Sequence, residues 1–199
     1  MLELYDFLLL IMGSRLYVFR HTQSIDNLNF IFSGGRNVGL SKEGIKEAKK
    51  LSYKLRSAEI DIAFNSDLLR SIETMDIVLE NHPGVIRCID RRIRERSYGL
   101  LEGHSKKWMA KFMYPIFKIY HRSYLIPPPK GESLKMVQSR VKLFVDELVK
   151  YLNGKSINVA ICAHSGSIRG IRQYFEKFPD SEFGKIETNV GELFEYVLN

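Results

Sequence analysis

Two histidines each follow a short apolar run. Leu16-Tyr17-Val18-Phe19 leads into Arg20-His21-Thr22-Gln23-Ser24, and Val159-Ala160-Ile161-Cys162-Ala163 leads into His164-Ser165-Gly166-Ser167. A third run, Asp61-Ile62-Ala63-Phe64, leads into Asn65-Ser66-Asp67, with Arg70 about one helical turn further on. Taken singly, a histidine at a strand end is more often a structural hydrogen-bonding residue than a catalyst. Two of them beside Arg20 and Arg70 are harder to dismiss. A neutral imidazole is a nucleophile toward phosphorus, and guanidinium groups offset the charge that spreads over a phosphoryl group in flight. A helix beginning after His164 would add free backbone N–H groups for an anion.

These residues converge only if the elements before them lie side by side. Continuous apolar runs mark strands buried on both faces, and ligands of open α/β sheets bind beyond the carboxyl ends of such strands. Val85-Ile86-Arg87-Cys88-Ile89 is a shorter strand candidate, and Leu193-Phe194-Glu195-Tyr196-Val197 alternates like a strand near an edge. Between the strands run helical stripes: Ile45, Ala48, Leu51 and Leu55; then Leu68, Ile72, Met75 and Leu79. A third stripe holds Leu134, Val137, Val141, Phe144, Leu148 and Leu152, with Ser133 as its N-cap, and a fourth helix follows Ser167. Strands alternating with helices predict a three-layer α/β/α sandwich around a mostly parallel sheet.

A chain of 199 residues, 45% apolar and 27% charged, suits one folded domain without low-complexity segments. The net charge of +7 favours an anionic partner without choosing among metabolite, nucleic acid and membrane surface. Cys88 and Cys162 lie far apart and show no metal-ligand or disulfide spacing, which points to a reducing, cytoplasmic setting. The apolar residues 7–12 follow Glu3 and Asp6, where a signal peptide would carry Lys or Arg, and are too few to span a bilayer. Residues 1–14 are therefore expected to be an N-terminal extension, packing on the domain or on a second subunit, or else the product of a start upstream of Met12. The domain is expected at 15–199, with a basic, aromatic, helical insertion near 104–130.

Several segments carry a family resemblance. Arg20-His21-Thr22-Gln23-Ser24 with Asn27 resembles the R-H-G-x-[ST] signature of the histidine phosphatase superfamily. Gly39-Leu40-Ser41-Lys42-Glu43-Gly44, the stretch from Ser66 to Thr74, and Ala163-His164-Ser165-Gly166-Ser167-Ile168-Arg169 follow in the family's order. Within it, Glu95-Arg96-Ser97-Tyr98-Gly99 is similar to the E-R-x-Y-G segment of cofactor-dependent phosphoglycerate mutases, and His121-Arg122-Ser123-Tyr124 with Pro127-Pro128-Pro129 to their R-R-S-Y-D-x-P-P-P. The resemblance implies a phosphoglycerate mutase-like fold and a phosphohistidine at His21, with Arg20, Arg70 and His164 supporting the phosphoryl group. It implies Glu95 as general acid, and Tyr98, Lys106 and Arg122 as contacts for substrate carboxylate or phosphate. Gln23, Ser24, Asn27 and Ser165 could add hydrogen bonds, Asn27 being equally suited to holding its loop. Glu102 reads as a structural partner of the loop.

Three departures stand out. Thr22 replaces the usual glycine and is expected to crowd the phosphate; His121 replaces an arginine; and the mutases' H-G-N is His164-Ser165-Gly166. A mutase must shield its phosphohistidine from water. The sequence stops at Asn199 directly after the last strand, the link from Pro129 to Glu132-Ser133 is short, and residues 104–124 form one wall of a cover. Net phosphatase action on a small phosphomonoester is therefore expected, with 2,3-bisphosphoglycerate-primed mutase action as the alternative. No metal or other cofactor is expected; a homodimer is allowed; no nucleic-acid or membrane partner is expected. The reading from another class is an anionic-ligand or nucleic-acid binder without turnover, based on the mix of lysines and aromatics after His104. The helix-core spacing of Trp108, Phe112 and Ile116-Phe117 argues against it.

Overall fold

The computed structural model describes residues 13–198; the apolar stretch at 7–12 lies outside them. Five strands, β1 (Ser14–Arg20), β2 (Ile62–Asn65), β3 (Ile86–Ile89), β4 (Val159–Ala163) and β5 (Leu193–Leu198), form one sheet in the order β3-β2-β4-β1-β5. The β1/β4, β2/β4 and β2/β3 pairs are parallel, and β5 runs antiparallel along β1.

Seven α-helices lie among the described residues: α1 (Ile25–Leu28), α2 (Lys42–Leu55), α3 (Leu69–Val78), α4 (Lys106–Phe112), α5 (Tyr114–Arg122), α6 (Leu134–Leu152) and α7 (Ser165–Glu176). Alternating side chains of β1 and β4 feed two cores. Leu16, Val18, Val159 and Ile161 meet α6 and α7 on one face; Tyr17, Phe19, Ala160 and Cys162 meet α2 and α3 on the other. The mostly parallel three-layer α/β/α sandwich expected from the alternation is the fold observed.

The α6 stripe is buried as its spacing requires, and Ser133 Oγ accepts from Met136 N–H as its cap. Each fully buried Leu, Val or Phe there is worth roughly 1.5–3 kcal/mol of transfer energy. Two other stripes are rotated. On α2, Ile45 is exposed while Gly44 is buried, because a Cβ at Gly44 would lie 2.0 Å from the Gln23 carbonyl oxygen; the helix approaches the β1 loop through that glycine. Of the α3 stripe, Leu68 and Met75 are buried as expected, but Ile72 and Leu79 are only half-buried, and Arg70, Ser71, Thr74 and Val78 turn inward beside Met75, because that face supplies polar groups to the strand ends.

Residues 104–124 fold as the expected helical insertion, broken at Met113 into α4 and α5. Trp108 and Phe112 are not its core. They are exposed, as is Ile116; Phe117 alone of that spacing turns inward, 6.1 Å from the buried Phe32 ring, and Met109 is the buried residue of α4. Two adjacent short helices cannot continue one apolar face across the break.

Candidate active site

At the sheet's carboxyl edge, β1 ends at Arg20 and is followed by His21, β4 is followed by His164, and β2 is followed by Ser66. The rings of His21 and His164 face each other at 4.9 Å, both almost fully buried. His21 Nδ1 lies 2.7 Å from the Thr22 carbonyl oxygen. A carbonyl can only accept, so Nδ1 carries the proton and Nε2 keeps its lone pair. His164 Nε2 lies 2.7 Å from Ser66 Oγ, while its Nδ1 is buried without a partner. With Ser66 donating, that Nδ1–H becomes a donor with no acceptor in the protein.

Burial first, then the charges of Arg70 and Arg20, push the His21 pKa well below the ordinary imidazole value; burial and Arg70 do the same at His164. Both rings are neutral at pH 7. An unfolded chain takes up a proton at each histidine below about pH 6.5 while the folded one resists, so stability falls as pH drops through that point. The slope is about 1.4 kcal/mol per pH unit for each histidine. Denaturant unfolding at pH 7.5 and 5.5 should show this loss, and equal stabilities would contradict a neutral buried pair.

His21, with His164 packed against its ring, lies at the floor of a cavity of about 180 Å³. Arg70 is fixed by Nη1 to the Arg36 carbonyl and Nη2 to the Gly34 carbonyl, both at 2.9 Å. Gly34, at φ 47°, makes this turn possible: a side chain there would collide with Glu102. Arg20 Nη1 donates to the Thr188 carbonyl at 2.6 Å. Among the described residues, the buried side-chain polar atoms without partners are Arg20 Nε, Ser33 Oγ, Arg70 Nε, Arg96 Nη2, His164 Nδ1 and the distant His82 Nε2. Arg20, Ser33, Arg70 and Arg96 line this cavity, and His164 stands against the His21 ring in its floor. Buried donors left unpaired cost about 1–3 kcal/mol each, so their concentration at one place marks where an anion completes the structure.

Glu95 lies in the same wall, Oε1 accepting from Arg96 N–H at 2.8 Å and Gly166 N–H at 3.0 Å. A Cβ at Gly166 would sit 2.9 Å from that oxygen, so glycine is what lets the first turn of α7 reach the carboxylate. Burial alone would raise the Glu95 pKa. It is outweighed by Arg20, Arg70 and the two N–H groups, and the carboxyl is held below its usual range.

The structure brings Asn27, Tyr98, Lys106, Arg122 and Ser165 to the cavity as well. Tyr98 keeps its proton, its pKa raised by burial and then by Glu95. Lys106 reaches inward, burial lowering its pKa, and Arg122 meets Glu187 at 2.8 Å near the mouth. Asn27 both lines the cavity and holds its loop, its Oδ1 accepting from Ser24 N–H and Oγ. Glu102 holds the 97–98 turn, as expected, through Ser97 Oγ and Tyr98 N–H, each at 3.0 Å.

Two expected contacts are absent from the cavity wall. Ser24 is consumed as the α1 N-cap, and Gln23 turns outward to accept from Ser41 Oγ at 2.7 Å. Nor does Thr22 crowd the phosphate position. Its buried side chain turns toward Thr74 Oγ1 at 3.3 Å and does not line the cavity.

Arg169, Arg96, His121, Ser33, Glu187 and Thr188 line the cavity without having been expected there. For Arg169 a signal existed: it lies four residues after Ser165, on the same face of α7. Arg96, 1% exposed, was concealed in an arginine-rich run that reads as surface. Ser33 and Thr188 come from loops placed only by tertiary contacts. His121 stacks on Phe117 at 4.7 Å, and burial with Lys106 and Arg122 lowers its pKa to about 4, so it is neutral where the mutases carry arginine.

The family model for the histidine phosphatase superfamily (branch 1) matches residues 16–198. The chain belongs to that superfamily. A 2,3-bisphosphoglycerate-dependent phosphoglycerate mutase 2 of Lactiplantibacillus plantarum is 34% identical, covering 92% of this chain and 93% of its own. A 2,3-bisphosphoglycerate-dependent phosphoglycerate mutase of Brucella melitensis is also 34% identical, covering 94% of both. Among solved structures, an alpha-ribazole phosphatase from Shigella flexneri superposes with TM-score 0.80 at 20% identity, covering 92% of this chain and 93% of its own. A mycobacterial glucosyl-3-phosphoglycerate phosphatase does so with TM-score 0.79 at 22% identity, covering 92% and 89%. These two share the fold. Histidine phosphatases and phosphoglycerate mutases of this family are enzymes that need no metal, and this chain is an enzyme of that family. Among its described residues no helix is long and apolar enough to cross a membrane.

Proposed function

We propose that this enzyme moves a phosphoryl group from a small phosphomonoester onto His21 Nε2 and then to an acceptor. The observation that carries this is the set of five unpaired buried donors and hydroxyls around a neutral histidine whose Nδ1 is already committed to a carbonyl. Arg20, Arg70 and His164 Nδ1–H would hold the phosphoryl oxygens, and Glu95 would protonate the leaving alkoxide. The outer wall suggests the rest of the substrate. Lys106, Arg122 and Arg169 exceed what one phosphoryl group needs, so the substrate carries a second anionic group, a carboxylate or another phosphate. The small cavity suits a metabolite of a few carbons.

The acceptor best supported is a hydroxyl of the same kind of substrate, which is mutase action on phosphoglycerate. Tyr98, Lys106 and Arg122 all line the cavity, and the curated mutases correspond to this chain over nearly their whole length, so the difference in cover that favoured hydrolysis loses its weight. Net hydrolysis is the second reading, favoured by Gly166 in place of the mutases' asparagine and by a rim made of the half-exposed Arg122 and the exposed Glu187. The test supplies 3-phosphoglycerate with catalytic 2,3-bisphosphoglycerate and follows both 2-phosphoglycerate and free phosphate. Isomerisation should outrun phosphate release. Phosphate release from any tested ester exceeding isomerisation would overturn the mutase reading and favour hydrolysis.

A further inference from the structure

The insertion that walls the cavity has a second face that this chemistry does not use. Between Glu102 and Glu132 there is no carboxylate, while Lys106, Lys107, Lys111, Lys118, Arg122 and Lys130 supply six cations. Met109 is buried and Phe117 and His121 gather on Phe32, which anchors α4 and α5 and leaves the opposite sides in solvent. There, Lys107 and Lys111 alternate with Trp108 and Phe112 at helical spacing, so all four share one side of α4. Trp108 is 53% and Phe112 61% exposed, with their rings 5.6 Å apart. On α5, Ile116 and Ile119 are exposed as well.

A neighbouring loop adds to it. Phe30 holds a left-handed backbone, φ 55°, unusual for a bulky residue, and its half-exposed ring lies 3.7 Å from Lys107 Nζ. Its carbonyl accepts from Lys106 N–H at 2.7 Å, which ties this loop to the start of α4.

We infer that this face docks the enzyme on an anionic lipid surface, with Phe30, Trp108 and Phe112 at headgroup depth and Lys107, Lys111 and Lys118 on the lipid phosphates. Aromatic side chains interleaved with lysines, and no acidic group among them, are the composition of an interfacial helix face. A second copy is a poor occupant, because a two-fold contact would set identical basic faces against each other. Nucleic acid would use the lysines and aromatics but leave Ile116 and Ile119 without a role, since aliphatic side chains offer no stacking plane. The expectation of no membrane partner came from the lack of a spanning segment, and it does not bear on docking from one side.

Trp108 is the only tryptophan, so the protein carries its own reporter. The full chain should be mixed with phosphatidylcholine vesicles with and without phosphatidylglycerol, following tryptophan emission and co-sedimentation. Emission should shift to the blue and protein should pellet only with the anionic vesicles. Each lysine near such a surface is worth about fivefold in binding, so the double variant Lys107→Glu/Lys111→Glu should lose at least about 25-fold. Trp108→Ala/Phe112→Ala should also fail to pellet, with turnover of a soluble phosphoester unchanged in both variants. Absence of both shift and pelleting with anionic vesicles would overturn the inference. So would an equal emission shift with RNA or polyglutamate in place of vesicles, which would assign the face to a nucleic-acid or acidic protein partner.

Discussion

His21→Ala should abolish turnover and covalent labelling together. The structure leaves His21 Nε2 unprotonated, because Nδ1 donates to the Thr22 carbonyl, and burial beside two arginines keeps the ring neutral. Alanine at this position removes the attacking lone pair, and no other nucleophile stands in its place: His164 Nε2 is occupied by Ser66, and Ser165 Oγ is engaged with Thr188 Oγ1 at 2.8 Å. Deleting the nucleophile of a covalent enzyme has cost on the order of 10⁶ in turnover. Substrate labelled on phosphorus should leave the wild-type protein with an acid-labile, base-stable phosphoryl group, as a phosphohistidine requires. Label retained by the variant would place the covalent step elsewhere.

Glu95→Gln separates substrates by their leaving groups. In the free protein the carboxyl is ionised, since Arg20, Arg70 and two backbone N–H groups outweigh its burial. A bound phosphoryl dianion pairs with both arginines and removes much of that pull, which lets Glu95 take up the proton that a departing alkoxide needs. Glutamine keeps an acceptor for Arg96 and Gly166 N–H but has no proton to give. Turnover of an alkyl phosphomonoester should fall by about 10²–10⁴. Turnover of p-nitrophenyl phosphate, whose phenolate leaves without protonation, should fall far less. The wild-type rate on the alkyl ester should decline toward alkaline pH, and the variant should lose that dependence. Equal losses on the two esters would show that Glu95 shapes the site without delivering a proton.

The order of elements and the identity of the reacting groups were determined by the sequence itself. Buried strands leave unbroken apolar runs, and in a parallel sheet their carboxyl ends come to one edge, so Arg20, His21 and His164 were fixed near each other by pattern alone. Arg70 followed because it lies a helical turn beyond such a strand. Side-chain direction was decided by tertiary structure. Gln23 and Ser24 belong to the same motif as His21, yet one turns to Ser41 and the other caps α1, because the close approach at Gly44 sets the loop. Thr22 turns to Thr74 for the same reason: a buried hydroxyl needs a partner, and the partner lay across the fold. Arg96, Ser33 and Thr188 entered the cavity from segments whose local composition says nothing of burial. Trp108 and Phe112 are the converse case, spaced like a core yet facing solvent, since one-dimensional spacing specifies a shared helix face but not what that face meets.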